Sequence, residues 1–286
     1  MTSENREYKD SVFCDLFYSD QDAKKNLLEL YNALFDSDYT DPEQIRLVRL
    51  EDVLFKNFKN DVAFTMNGER IILSEHQSTI NLNMPLRDLM YIAREYELLV
   101  PAKKRYEKKQ MKIPTPVFYT FYNGNEDYPT ETELQLSDMY ENPSEPALEL
   151  KVKVININKN KNHKILEKCK VMKEYSEFVE KTRVYKEDRE TLKNVVTECI
   201  KEGVLKDYLE RKGTEVINML MTKYDYDTDI AVQREEARQE GIEEGIQEGI
   251  LRVITNMRSK GFTIFEIADI LGEPQDVVES LLETEE

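Results

Sequence analysis

Two carboxylates and an amide lie within the stretch Asn60 to Ser78, NDVAFTMNGERIILSEHQS. Asp61 opens it; Glu75 and Gln77 close it. Such oxygen donors, brought to one face, make a hard-cation site of the Mg²⁺ type. A hairpin would bring them there. Asn67-Gly68 supplies the positive φ of a tight turn, with apolar residues on both sides. Side chains two apart in a strand share a face, so Glu75 and Gln77 point one way and His76 the other.

Asp61 joins them only in one kind of register. A two-residue loop (Asn67, Gly68) pairs Met66 with Glu69 and sets Asp61 opposite Ser74, on the wrong face. A three-residue loop (Met66, Asn67, Gly68), with Gly68 as the left-handed residue of a bulge, pairs Thr65 with Glu69. Asp61, Leu73, Glu75 and Gln77 then share a face. A working site therefore predicts the three-residue loop or an equivalent bulge.

Other elements must hold this hairpin. Phe13, Leu16 and Phe17, then Leu27, Leu28, Leu30, Tyr31 and Leu34, recur at helical spacing. Ile45 to Leu54 reads as a strand. Pro85 suits the N1 position of a helix over Leu86 to Val100, with Leu86, Leu89, Met90, Ala93 and Tyr96 as its buried stripe. Thr115 to Tyr122 (TPVFYTFY) is β-branched and aromatic, a central strand ended by Asn123-Gly124. Ala147 to Ile157 alternates as a half-buried strand of the same sheet. Helices follow over Lys164 to Val184, Asp188 to Lys201 and Leu205 to Tyr224, with Gly203 as a C-cap.

Asp61, a short hairpin and Glu75-x-Gln77, with the phrases DVAFTMNGERIILSEHQS, NMPLRDLMYIAREYE and FYTFYNG, carry a family likeness. The chain resembles the recombination-promoting nuclease (Rpn) and transposase-like branch of the PD-(D/E)xK nucleases, from about Asp10 to about Tyr226. The resemblance implies an α/β fold: a restriction-endonuclease-like mixed sheet flanked by helices, with a helical C-terminal extension. It implies Mg²⁺- or Mn²⁺-dependent hydrolysis of DNA phosphodiesters. Asp61 and Glu75 would hold the metal, with the backbone carbonyl of His76 and with Asp10. Gln77 stands where most of the superfamily has Lys, and an amide can orient a water but is no general base. Arg87 and Tyr91, spaced i, i+4, would flank the site and bind a phosphate or orient Gln77.

Each assignment has a plainer counterpart. Asp10 can simply cap a helix N-terminus, and Asp15 is a second acid one turn on. Arg87 and Tyr91 can be an ordinary helix pair. The His76 side chain reads as a packed or hydrogen-bonded group rather than a ligand.

The 286 residues carry a net charge of −17, which argues against loose nucleic-acid binding. The segment Ala231 to Glu286 supplies −9 of it. Two basic islands lie outside that segment: six Lys/Arg in Ala102 to Pro114 and eight Lys in Lys151 to Lys173. They could track a phosphate backbone or be solvated faces.

No stretch is apolar enough for a bilayer span or a signal peptide, and three cysteines without CxxC spacing read as reduced thiols in a cytoplasmic protein. Residues 1–226 form the nuclease-like domain in this reading, and residues 227–286 an acidic appendage. Gly241, Gly245 and Gly249 space one face of a solvated linking helix, with a dimer contact as the lesser reading, so that homo-oligomers would form through the C-terminal helices. Thr263 and Glu266 suit a capping box in a small helix-turn-helix-like unit whose last helix is too acidic to read DNA. The alternative to a nuclease is a catalytically degenerate DNA- or protein-binding relative acting through this tail.

Overall fold

The computed structural model describes residues 12–48, 61–183, 189–272 and 274–283. Six strands build one open mixed sheet: β1 (Ile45–Leu47), β2 (Val62–Met66), β3 (Arg70–Gln77), β4 (Thr115–Tyr122), β5 (Glu131–Gln135) and β6 (Lys151–Asn156). The order is β1-β2-β3-β4-β6-β5. β1–β2 and β2–β3 pair antiparallel, β3–β4 and β4–β6 pair parallel, and β5 closes the far edge antiparallel to β6. Helices complete an α/β architecture.

Alternation along the strands gives each face its own core. Val62, Phe64, Ile72, Phe121 and Ile155 face one side, packed with α1 (Val12–Cys14), α2 (Ala23–Phe35), α4 (Ile165–Lys168), α5 (Lys170–Arg183), α6 (Arg189–Glu202) and the start of α7 (Lys206–Ser259). Phe13, Phe64 and Phe121 are fully buried there, and burial of each such side chain contributes about 1.5–3 kcal/mol. Ala63, Ile71, Leu73, Phe118 and Val152 face the other side, under α3 (Met84–Leu99).

Several expectations need correction. α3 buries only part of the expected stripe Leu86, Leu89, Met90, Ala93 and Tyr96: Leu89 and Tyr96 pack half-buried against the core beneath it, whereas Ala93 is exposed. The helix turns Met84, Asp88, Tyr91, Ile92 and Glu95 inward, while Leu86 and Met90 are exposed. Two acids thus sit where apolar periodicity placed none, and in this orientation Arg87 reaches Glu75 and Tyr91. Pro85 is the second helical residue, after the N-cap Asn83. β5 has no counterpart among the expected strands; its charged Glu131 and Glu133 pair with Lys153 and Lys151 of β6. The expected strand Ile45 to Leu54 is described only to residue 48, with β1 covering Ile45–Leu47.

The chain divides into two compact units, Met1–Tyr224 and Asp225–Glu286, two residues before the boundary the sequence predicts after residue 226. α7 continues as one helix through the Glu-Gly repeat. In the second unit Ile254, Ile267, Ala268 and Val278 form a small core among the end of α7, α8 (Ile264–Leu271) and α9 (Gln275–Glu283). Thr263 and Glu266 make the capping box reciprocally, and Gly272 ends α8 at a φ of 72°. No described helix is long and apolar enough to cross a membrane.

Candidate functional site

The hairpin turn sets the site. Asn67 and Gly68 both take positive φ, 52° and 70°, and the Glu69 N–H closes on Met66 O at 3.0 Å. The ladder begins at Met66↔Arg70. Three residues therefore separate the strands, but they are Asn67, Gly68 and Glu69 rather than the expected Met66, Asn67 and Gly68. Continuing this ladder from Val62↔Ser74 sets Asp61 opposite Glu75 rather than Leu73. Both carboxylates stand on the α3 face, with Gln77 two residues on.

The two acids are held differently. Asp61 is half-buried just ahead of β2, and its Oδ2 accepts the backbone N–H of His76 at 2.7 Å. Glu75 is 3% exposed. Its Oε1 accepts from Arg87 Nη2 at 3.2 Å and its Oε2 from Gln77 Nε2 at 3.1 Å. Burial first, and the Asp61 charge second, push the Glu75 carboxyl up to about 7, while Arg87, Gln77 and Tyr91 hold it down. Arg87 also donates to Tyr91 OH at 3.2 Å and lies over its ring. The i, i+4 pair thus braces Glu75. Gln77 is positioned instead by Glu75 and by Met84 Sδ.

His76 points to the opposite face. Its ring stacks on Phe13 with centroids 5.3 Å apart and its Nε2 lies 3.3 Å from Tyr175 OH. The backbone carbonyl of a strand residue leaves on the same edge as its N–H, so that of His76 is directed toward the Asp61 side. Asp10 lies outside the described residues. Asp15 is committed elsewhere: it accepts from Tyr208 OH at 2.8 Å and from Lys212 Nζ at 2.9 Å.

No family model, curated protein or solved structure matches this chain.

Two further groups join the site that residue spacing did not reveal. Asp88 is 2% exposed, with no partner for its Oδ2 among the described residues. Burial, then the Glu75 charge, push it up to about 8. Its only sequence signal was its place one turn after Met84. Thr120 stands beside Glu75 across the β3–β4 ladder, and its buried Oγ1 also lacks a partner among the described residues.

The donor set fits a hard divalent cation. The Asp61 charge already raises the proton affinity of Glu75, and a divalent cation between them would relieve that repulsion. Mg²⁺ keeps several waters and takes one or two protein carboxylates. Among the described residues no cluster of three or more His, Cys, Asp or Glu could hold a metal, so waters or backbone oxygen would complete the sphere.

The basic islands differ. Lys103, Lys104, Lys108 and Lys109 are exposed. In the second island Lys151, Lys153, Lys161 and Lys168 pair with Glu133, Glu131, Asp127 and Asp36. That island is largely neutralised within the chain and is a poorer track for phosphate.

Proposed function

We propose that the chain is a metal-dependent DNA endonuclease with a restriction-endonuclease-like fold, of the recombination-promoting, transposase-like kind. The observation that carries this reading is the convergence of Asp61, Glu75 and Gln77 at one strand end, with Arg87 braced beside them. The mixed sheet with helices on both faces is compatible with it.

Asp61, Glu75 and the His76 carbonyl would hold Mg²⁺ or Mn²⁺, and Asp10 would be a further ligand. Such an ion, when bound, polarises the scissile phosphate and acidifies a bound water. The chain's own groups do the rest. Gln77 orients the water through its amide, without accepting its proton. Arg87 balances the charge of Glu75 and can turn one N–H toward a phosphate oxygen. The Asp61–His76 hydrogen bond fixes the carboxylate against the strand.

Plasmid nicking by the purified chain with Mg²⁺, Mn²⁺ or EDTA tests this. Metal-dependent nicking abolished by both Asp61→Ala and Glu75→Ala is the expected result. Nicking that survives both would sink the assignment. One observation favours a second reading, a relative that binds without cutting: both Glu75 oxygens already have protein partners. In that case DNA binding persists in Glu75→Ala with no cleavage in either protein.

A further inference from the structure

A second polar cluster lies at the carboxyl ends of the parallel strands, built around the FYNG phrase. The Asn123 N–H bonds Gln77 O at 2.9 Å, so the end of β4 is tied directly to the end of β3. Arg183, the last residue of α5, donates through Nη2 to Asn123 Oδ1 at 2.5 Å and through Nη1 to Asn158 Oδ1 at 3.2 Å. Asn158 in turn donates to Gly124 O and Asn156 Oδ1, each at 3.0 Å. Gly124 is the residue the turn allows, since a Cβ there would lie 2.2 Å from Ser78 O.

Two features go beyond scaffolding. Arg183 is half-buried, yet its hydrogen-bond partners are neutral amides, and it makes no ion pair among the described residues. Glu180 acts on it only at longer range. Asn123 is 2% exposed, and its Nδ2 has no acceptor among the described residues. A buried amide N–H without an acceptor is expensive, and a guanidinium without a counter-ion is the usual partner of an oxyanion. Both groups are donors, so both call for the same ligand. The cluster adjoins the carboxylate-bearing strand through the backbone, since Tyr122, the residue before Asn123, stands beside Gln77 in the β3–β4 ladder.

We infer that Arg183 and Asn123, positioned by Asn158, form an oxyanion subsite that takes a phosphate of the nucleic-acid backbone other than the one at Asp61 and Glu75. The oxyanion chemistry stands on this cluster alone; its assignment to DNA rests on the function proposed above.

The test uses the full chain carrying Glu75→Gln, in EDTA, with a short DNA duplex followed by fluorescence anisotropy over a salt series. Arg183→Gln removes the cation. Asn123→Asp keeps the shape and gives Arg183 an internal counter-ion, so its thermal midpoint should not fall. Each is expected to weaken binding about tenfold and to lower the salt slope by about 1, as loss of one phosphate contact does. A merely structural role would leave the slope unchanged in Asn123→Asp.

Inorganic phosphate is the second probe, read by thermal shift. Stabilisation of the parent but of neither variant, with DNA binding unaltered, assigns the subsite to free phosphate. Unaltered DNA binding together with no phosphate response overturns the subsite. A parent that does not bind DNA overturns the nuclease reading, while the phosphate arm still decides the subsite.

Discussion

Asp61 meets the β3 backbone next to Glu75, accepting the His76 N–H just beyond the Val62↔Ser74 pair, one acid half-buried and the other 3% exposed. Burial first, and the Asp61 charge second, push the Glu75 carboxyl up to about 7. Asp61→Asn removes the charge and keeps an acceptor for the His76 N–H. The Glu75 pKa should then drop toward its usual value of 4.5, read by carboxyl NMR titration. A midpoint that stays put would show that burial alone sets it.

Arg87→Gln should act in the opposite sense. The guanidinium favours the ionised form of Glu75, so its loss raises the pKa further. Less Glu75 is then ionised at neutral pH, and the acidic limb of any cleavage profile moves to higher pH by about one unit. A rate–pH profile of this variant beside wild type checks it. A lower rate with an unmoved limb would mean that Arg87 acts on substrate rather than on Glu75.

Gly124→Ala should destabilise the first unit. The new Cβ would meet Ser78 O at 2.2 Å and Tyr122 OH at 2.3 Å. Backbone must shift to relieve the first contact, a change of about 2–4 kcal/mol. Chemical denaturation measures it, and a loss under about 0.5 kcal/mol, the scale of neutral surface changes, would contradict the tight turn.

Asp88 and Glu95 should make stability fall with rising pH. Both bind a proton more tightly in the folded chain: burial moves Asp88 from 3.8 to about 8 and Glu95 from 4.5 to about 7. The folded state therefore holds more protons across that interval. Its stability is full below the unfolded values and declines until the folded values are passed. Asp88→Asn and Glu95→Gln should flatten the decline and raise the thermal midpoint at alkaline pH. Melting curves over the pH range test this, and an unchanged slope in the double variant would refute it.

Local rules made the hairpin and the facing of its side chains legible. The period of two put Glu75 and Gln77 together and turned His76 to Tyr175. The spacing of four paired Arg87 with Tyr91, and the capping box of α8 was readable from Thr263 and Glu266 alone. What stayed hidden depends on distant partners. The inward face of α3 includes Asp88 and Glu95, which apolar periodicity assigns to solvent. β5 is an edge strand whose charged Glu131 and Glu133 are matched by lysines on β6 and, for Glu131, by His163. Arg183 meets Asn123 across 60 residues of sequence. The loop position was off by one because the positive φ of Asn67 and Gly68 fixes the turn but not where the ladder resumes.

Every described side chain that braces Glu75 comes from one uninterrupted stretch, Asp61 to Tyr91. Its contacts span 2 to 15 residues, with Asp61 to His76 the longest. Closing such short loops carries little entropy, and local contacts of this kind form early in folding. The parallel pairing of β3 with β4 must wait for the α3 crossover. The carboxylates are thus brought together before the sheet that buries them is complete, and the repulsion between them is met while water can still screen it.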